Sequence, residues 1–177
     1  MLRSAGVQAV GIAPGVTEES TVADPVARAI ELAQRKAHAV FATHPDALVI
    51  GADQVVTDGA EIWGKPRGDS DHLARLQRMR GVSHDLVTGW CVLSADGETT
   101  GHASTTMHVR SDLTNEELEA YVASGEGSGC AGGYAAEAQG GFLFERVDGD
   151  WNNVIGLPLF QLLTVLRAHG WRYTARV

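Results

Sequence analysis

The chain has 177 residues, 44% of them hydrophobic and 20% charged, the balance of a folded domain rather than a disordered segment. Its 14 Lys and Arg against 22 Asp and Glu give a formal charge of −8, which argues against a nucleic-acid partner but not against a small anionic ligand. No apolar run nears the roughly 20 residues of a membrane span, residues 1–6 carry no signal region, and two isolated cysteines, Cys91 and Cys130, suggest neither disulfides nor a metal knuckle. A cytoplasmic protein with no membrane partner is expected.

The first helix is predicted over Pro25–Phe41. Asp24 can cap it, Pro25 suits its first turn, and Val26, Ala29, Ile30, Ala33, Ala37 and Val40 recur at helical spacing. Residues 47–51 form a continuous apolar run, read as a buried strand leading into Ala52-Asp53-Gln54-Val55-Val56. A second helix is expected at 70–80, stopped by Gly81. Strands follow at 86–93 and 99–109, joined at the Asp96-Gly97 turn. Thr114 and Glu117 make a capping box that opens a helix ending at Gly125. Residues 125–141 are glycine-rich loop, 142–147 a strand, and 159–169 the last helix, begun at Pro158. The pattern predicts an α/β fold, a mixed sheet flanked by helices.

Five features carry chemistry. Asp53 follows a buried strand, where ligands collect in open α/β sheets; it can take a proton from water or hold a cation, or simply cap a turn. Lys65, in Gly64-Lys65-Pro66, offers a phosphate a point charge, or is a solvated loop lysine. Lys36 lies beside the apolar stripe of the first helix, where its stem can cover core surface, and taken alone it reads as a snorkelling surface lysine. The segment Cys130-Ala131-Gly132-Gly133-Tyr134-Ala135-Ala136-Glu137 allows close backbone approach and ends on an acceptor-only carboxylate. Residues 149–159 set polar side chains before a helix start, a natural anion site. The histidines show no metal-binding spacing and most read as surface residues, and the tryptophans read as packing residues.

In order, the segments Pro14-Gly15-Val16-Thr17-Glu18, Lys36-Ala37, Ile50-Gly51-Ala52-Asp53-Gln54-Val55-Val56, Gly64-Lys65-Pro66, 81–89, 121–126, Ala131-Gly132-Gly133-Tyr134 and 150–159 resemble the Maf family of nucleotide pyrophosphatases. The resemblance runs from about Leu2 to Gly170 and implies one Maf-like domain over 1–177, with two lobes around a cleft in a Maf/inosine-triphosphatase-like fold. It also implies hydrolysis of a nucleoside triphosphate to a monophosphate and pyrophosphate with Mg²⁺ or Mn²⁺, and it admits a homodimer. By the same resemblance Asp53 is the proton acceptor, Lys36 and Lys65 contact phosphate, and Glu18, with Asp53, lies near the metal.

The family's branches differ in base. Gln54, Glu137 and Cys130 resemble the branch acting on 7-methyl-GTP; Trp151-Asn152-Asn153 looks closer to the dTTP/UTP branch. A carboxylate can accept from both donors of a guanine edge, so 7-methyl-GTP is the expected substrate and dTTP/UTP the alternative. The family pattern also begins with a strand and a Ser/Arg-Arg phosphate loop that residues 1–7 do not match. The expectations are a start site placed too late, or a weakened or inactive form that binds nucleotide as a regulator.

Overall fold

A computed structural model describes residues 1–174. Helix α1 spans Pro25–Phe41, strand β1 Val49–Thr57, β2 Ile62–Trp63, helix α2 Asp69–Met79, β3 Ser83–Ser94 and β4 Gly97–Val109. Helix α3 follows at Asn115–Ala123, then a 3₁₀ turn at Gln139–Leu143, β5 at Phe144–Asp148, the one-turn α4 at Trp151–Val154 and α5 at Leu159–Ala168. The strands form a five-stranded sheet in the order β2-β1-β3-β4-β5, with β1/β2 and β4/β5 antiparallel. The expected α/β class with flanking helices is the one observed. Among the described residues no helix is long and apolar enough to cross a membrane.

Local chemistry explains the helix boundaries. Asp24 Oδ1 accepts from Ala27 N at 2.7 Å, satisfying a donor that the helix itself leaves open. At α3 the capping box closes both ways: Thr114 Oγ1 accepts from Glu117 N at 3.3 Å, and Glu117 Oε2 from Thr114 N at 2.7 Å. Two short elements escape periodicity. Strand β2 has two residues, and α4 is a single turn capped by Asp150 Oδ1, which accepts from Asn152 N at 2.8 Å. Residues expected to lead directly into the last helix therefore form a turn of their own. Phe142 and Leu143 belong to the 3₁₀ turn rather than to the last strand.

The chain divides into two compact units. One comprises Met1–Asp53, Thr88–Ala103 and the chain from Gly156 onward; the other comprises Gln54–Val87 and Ser104–Ile155. In the first, Ala33 and Ala37 of α1 pack with Val49, Cys91 and Leu93. Small residues meet here on both sides. A Cβ added to Gly51 would sit 2.2 Å from Ala33 O, and one on Gly89 2.2 Å from Ala29 C, so the strand glycines admit the helix backbone. Trp90, Val92 and Leu162 form a further cluster, and Trp90 Nε1 donates to Gln161 Oε1 at 2.9 Å.

In the second unit Leu76 and Met79 of α2, Leu118, Tyr121 and Val122 of α3, and Val56, Leu86, Met107 and Val109 of the strands share one core. Asn153 is fully buried and ties α4 to the strands, donating to Leu86 O and Thr105 Oγ1, both at 3.0 Å. Trp63 and Trp90 pack as expected, but Trp151 is 47% exposed, because its one-turn helix turns it outward. Most histidines lie at or near the surface as expected, but His72 and His84 are buried, at 2% and 3% exposed.

His84 Nε2 lies 2.5 Å from Tyr134 Oη, with the imidazole ringed by Trp63, Tyr134 and Phe144. Burial drives its pKa down to about 4 from 6.5. The unfolded chain then binds this proton more readily, so stability falls as pH drops from 6.5 towards 4. Wild-type unfolding free energy should decrease by about 2 kcal/mol from neutral pH to pH 5. Urea midpoints of wild type and His84→Phe against pH test this; equal slopes would count against it.

Candidate active site

In the first unit the helical period places Lys36 beside the buried Ala33 and Ala37, at the edge of the apolar stripe. Asp53 sits on β1, four residues past Val49. Lys36 Nζ bonds Asp53 Oδ1 at 2.6 Å and Glu18 Oε1 at 2.7 Å. The side chains of Lys36 and Asp53 are 17% and 11% exposed, that of Glu18 56%, so the cluster is shielded on one side and open on the other. Burial pulls the Lys36 ammonium down, but the hydrogen bonds to Asp53 and Glu18 outweigh it and hold its pKa above the ordinary lysine value. Taken alone, Lys36 reads as a snorkelling surface lysine; in the structure its ammonium is instead paired and largely shielded.

Glu18 belongs to a segment without regular structure, and α1 holds that segment in place. Arg35 Nη1 donates to the carbonyls on either side of it, Thr17 O at 2.9 Å and Glu19 O at 2.8 Å. Two turns earlier on the same face, Arg28 Nη2 donates to Ser20 O at 2.6 Å and Nε to Val22 O at 2.8 Å. The sequence reading missed both arginines. Their seven-residue spacing was the one available signal, and it names no partner.

The second unit gathers Gln54, Lys65 and Glu137. Gln54, Cys130 and Glu137 border a cavity of about 110 Å³ walled by Val56, Leu86, Tyr134, Val154 and Ile155. Gln54 Nε2 donates to Asn153 O at 2.6 Å, which orients the amide. Lys65 and Glu137 are both exposed. The Cys130 thiol senses both charges: burial raises its pKa most, Glu137 and Glu126 raise it further, and Lys65 lowers it. The lysine and the carboxylate therefore share one electrostatic neighbourhood.

The first unit thus sets two carboxylates on one shielded ammonium, a group suited to a phosphate, and the second a small cavity bordered by an amide and a carboxylate. The chain belongs to the Maf-like protein family, whose model matches residues 1–169. It is 41% identical over 170 residues to a dTTP/UTP pyrophosphatase of Deinococcus radiodurans, covering 96% of this chain and 87% of that protein. A nucleoside triphosphate pyrophosphatase of Prochlorococcus marinus is 44% identical over 147 residues, 82% of this chain and 79% of its own. A dTTP/UTP pyrophosphatase of Aquifex aeolicus is 37% identical over 162 residues, 92% and 85% of the two chains. Membership places the chain among the hydrolases that act on acid anhydrides.

Proposed function

We propose that this chain cleaves nucleoside triphosphates at the α–β linkage, releasing a nucleoside monophosphate and pyrophosphate, with dTTP and UTP as substrates. The observation that carries the reaction class is Lys36 held between Asp53 and Glu18 with its ammonium stabilised in the charged form. Triphosphate oxygens compete with the carboxylates for this ammonium. Once they take it, Asp53 is released to orient a water and accept its proton as the water oxygen bonds to phosphorus and the bridging P–O bond breaks. Lys65 supplies a second positive charge to the phosphates. The names of the relatives support both the class and the pyrimidine base.

Glu18 and Asp53 approach a single Nζ, so their oxygens lie within two hydrogen-bond lengths of each other. Mg²⁺ is commonly held by one or two carboxylates together with substrate phosphates and water, and this hard oxygen pair fits it. Among the described residues no larger set of His, Cys, Asp and Glu is gathered. Bound there, Mg²⁺ or Mn²⁺ supplies neutralisation of phosphate charge.

A second reading, 7-methyl-GTP, is favoured by Glu137 on the cavity beside Gln54. Guanine presents adjacent N1–H and N2–H₂ donors to a carboxylate, and methylation at N7 adds a positive charge that Glu137 attracts. Thymine and uracil present one such donor between two carbonyls. Initial rates of pyrophosphate release over dTTP, UTP, CTP, GTP and 7-methyl-GTP, each with Mg²⁺ or Mn²⁺, separate the readings. Fastest turnover of dTTP and UTP is expected, with Glu137→Gln leaving them within about threefold. If 7-methyl-GTP leads and Glu137→Gln costs it about tenfold or more, the second reading replaces the first. Absence of pyrophosphate release from every nucleotide would remove both.

A further inference from the structure

Three residues of the second unit that have no role above share one arrangement. Helix α2 carries His72 and Arg75 three residues apart, hence on one face, the face that also buries Leu76 and Met79. Arg75 Nη1 donates to Gly64 O, directly before Lys65, and to Ala131 O at 2.6 Å, directly after Cys130. His72 Nε2 lies 2.5 Å from Gly133 O; a carbonyl only accepts, so this nitrogen carries the proton. Asp71, the neighbour of His72, accepts from Arg67 N at 2.9 Å and so holds the far end of the Lys65 loop.

Packing follows the same lines. Gly133 has φ +78°, and a Cβ added there would meet His72 Cδ2 at 3.1 Å, His72 Nε2 at 3.2 Å and Pro66 Cγ at 3.3 Å. The two loops are thus pressed together against the helix, with Pro66 and His72 both against the place a side chain at Gly133 would take. The Arg75 side chain is only 16% exposed, and its planar guanidinium presents several donors in fixed directions.

We propose that Arg75, assisted by His72, is a positioning residue that locks the Lys65 loop and the Cys130–Glu137 loop into one register, so that phosphate contact and base contact are set together. The proposal rests on the reading of Lys65 and Glu137 as substrate residues. Without the bridge each loop samples its own positions, and a bound nucleotide must order both at its own cost. The loss therefore falls on KM and on the discrimination between bases more than on kcat, because Asp53 and Lys36 lie on other elements.

The test uses Arg75→Met and Arg75→Lys, the second keeping the charge but not the fork, alongside His72→Gln, which keeps a donor, and His72→Leu. Arg75→Met should raise KM about tenfold and narrow the ratio of kcat/KM between dTTP and 7-methyl-GTP about fivefold, with kcat within about threefold. Arg75→Lys should fall between it and wild type, and His72→Gln should lie closer to wild type than His72→Leu. Amide hydrogen exchange on the full chain without nucleotide supplies a readout independent of turnover. In Arg75→Met the amides of Arg67, Cys130 and Gly133 should lose protection together while α3 is unchanged. Unchanged protection in folded Arg75→Met, or loosening of one loop alone, overturns the proposal. If Arg75→Met does not fold, the same comparison in Arg75→Lys decides. Wild type that turns over no nucleotide would defeat the functional reading, while the exchange data still decide whether the clamp exists.

Discussion

Asp53→Asn is expected to lower kcat by about 10²- to 10⁴-fold with a much smaller change in KM. The substitution keeps size and shape, and the amide oxygen can still accept from Lys36 Nζ, which lies 2.6 Å from Oδ1 in the native arrangement. What disappears is the capacity to take a proton from water at neutral pH. The cluster retains one counter-charge for Lys36, because Glu18 Oε1 remains 2.7 Å from Nζ. Folding should therefore survive, and circular dichroism with a thermal melt would verify it. A kcat within about threefold of wild type would show that Asp53 is not the proton acceptor.

Lys36→Met is the second large effect, and it acts twice. The ammonium is the shielded cation that the triphosphate would meet, and its removal is expected to reduce kcat/KM about a hundredfold. It also takes the Lys36 ammonium away from the Asp53 carboxylate, whose side chain is 11% exposed. Loss of an adjacent cation raises a carboxyl pKa, so the acid limb of the kcat/KM profile should move to higher pH. The stability relation has the opposite window. Hydrogen bonds to Asp53 and Glu18 raise the Lys36 pKa above its ordinary value despite burial, so the stability it contributes is fully present below the unfolded pKa. It is lost only as pH climbs through the higher folded value. Wild type should thus exceed Lys36→Met in stability throughout the neutral range, the gap closing at strongly alkaline pH. A profile whose acid limb stays in place would separate Lys36 from Asp53 and remove the pairing from the mechanism.

Much of the fold was legible because its signals are local. Asp24 and Pro25 marked the start of α1, Thr114 and Glu117 the start of α3, and each cap works through atoms three residues apart. Gly51 and Gly89 are explained only by what lies above them, the backbone of Ala33 and of Ala29, although the alanines themselves already stood out as a helical stripe. Strand β2 and helix α4 were not legible, since two residues and a single turn are too short to show a period. The burial of His72 and His84 was equally hidden. One sits on a helix face and the other on a strand, and only contact with Gly133 O and the Tyr134 hydroxyl gives each ring a polar partner inside the core.

By itself the sequence determined the chemistry on offer: a carboxylate on an apolar strand, a lysine beside a helix stripe, a second lysine between glycine and proline, and a carboxylate closing a glycine loop. Tertiary structure alone decided that Lys36, Asp53 and Glu18 meet within hydrogen-bond distance, and that Arg35 and Arg75 fasten the segments that carry Glu18, Lys65 and Glu137. Side-chain identity is written in the chain, whereas a backbone carbonyl is the same at every residue and carries no label saying which arginine it will meet. Charge coupling likewise depends on separation and shielding from water, and chain folding sets both.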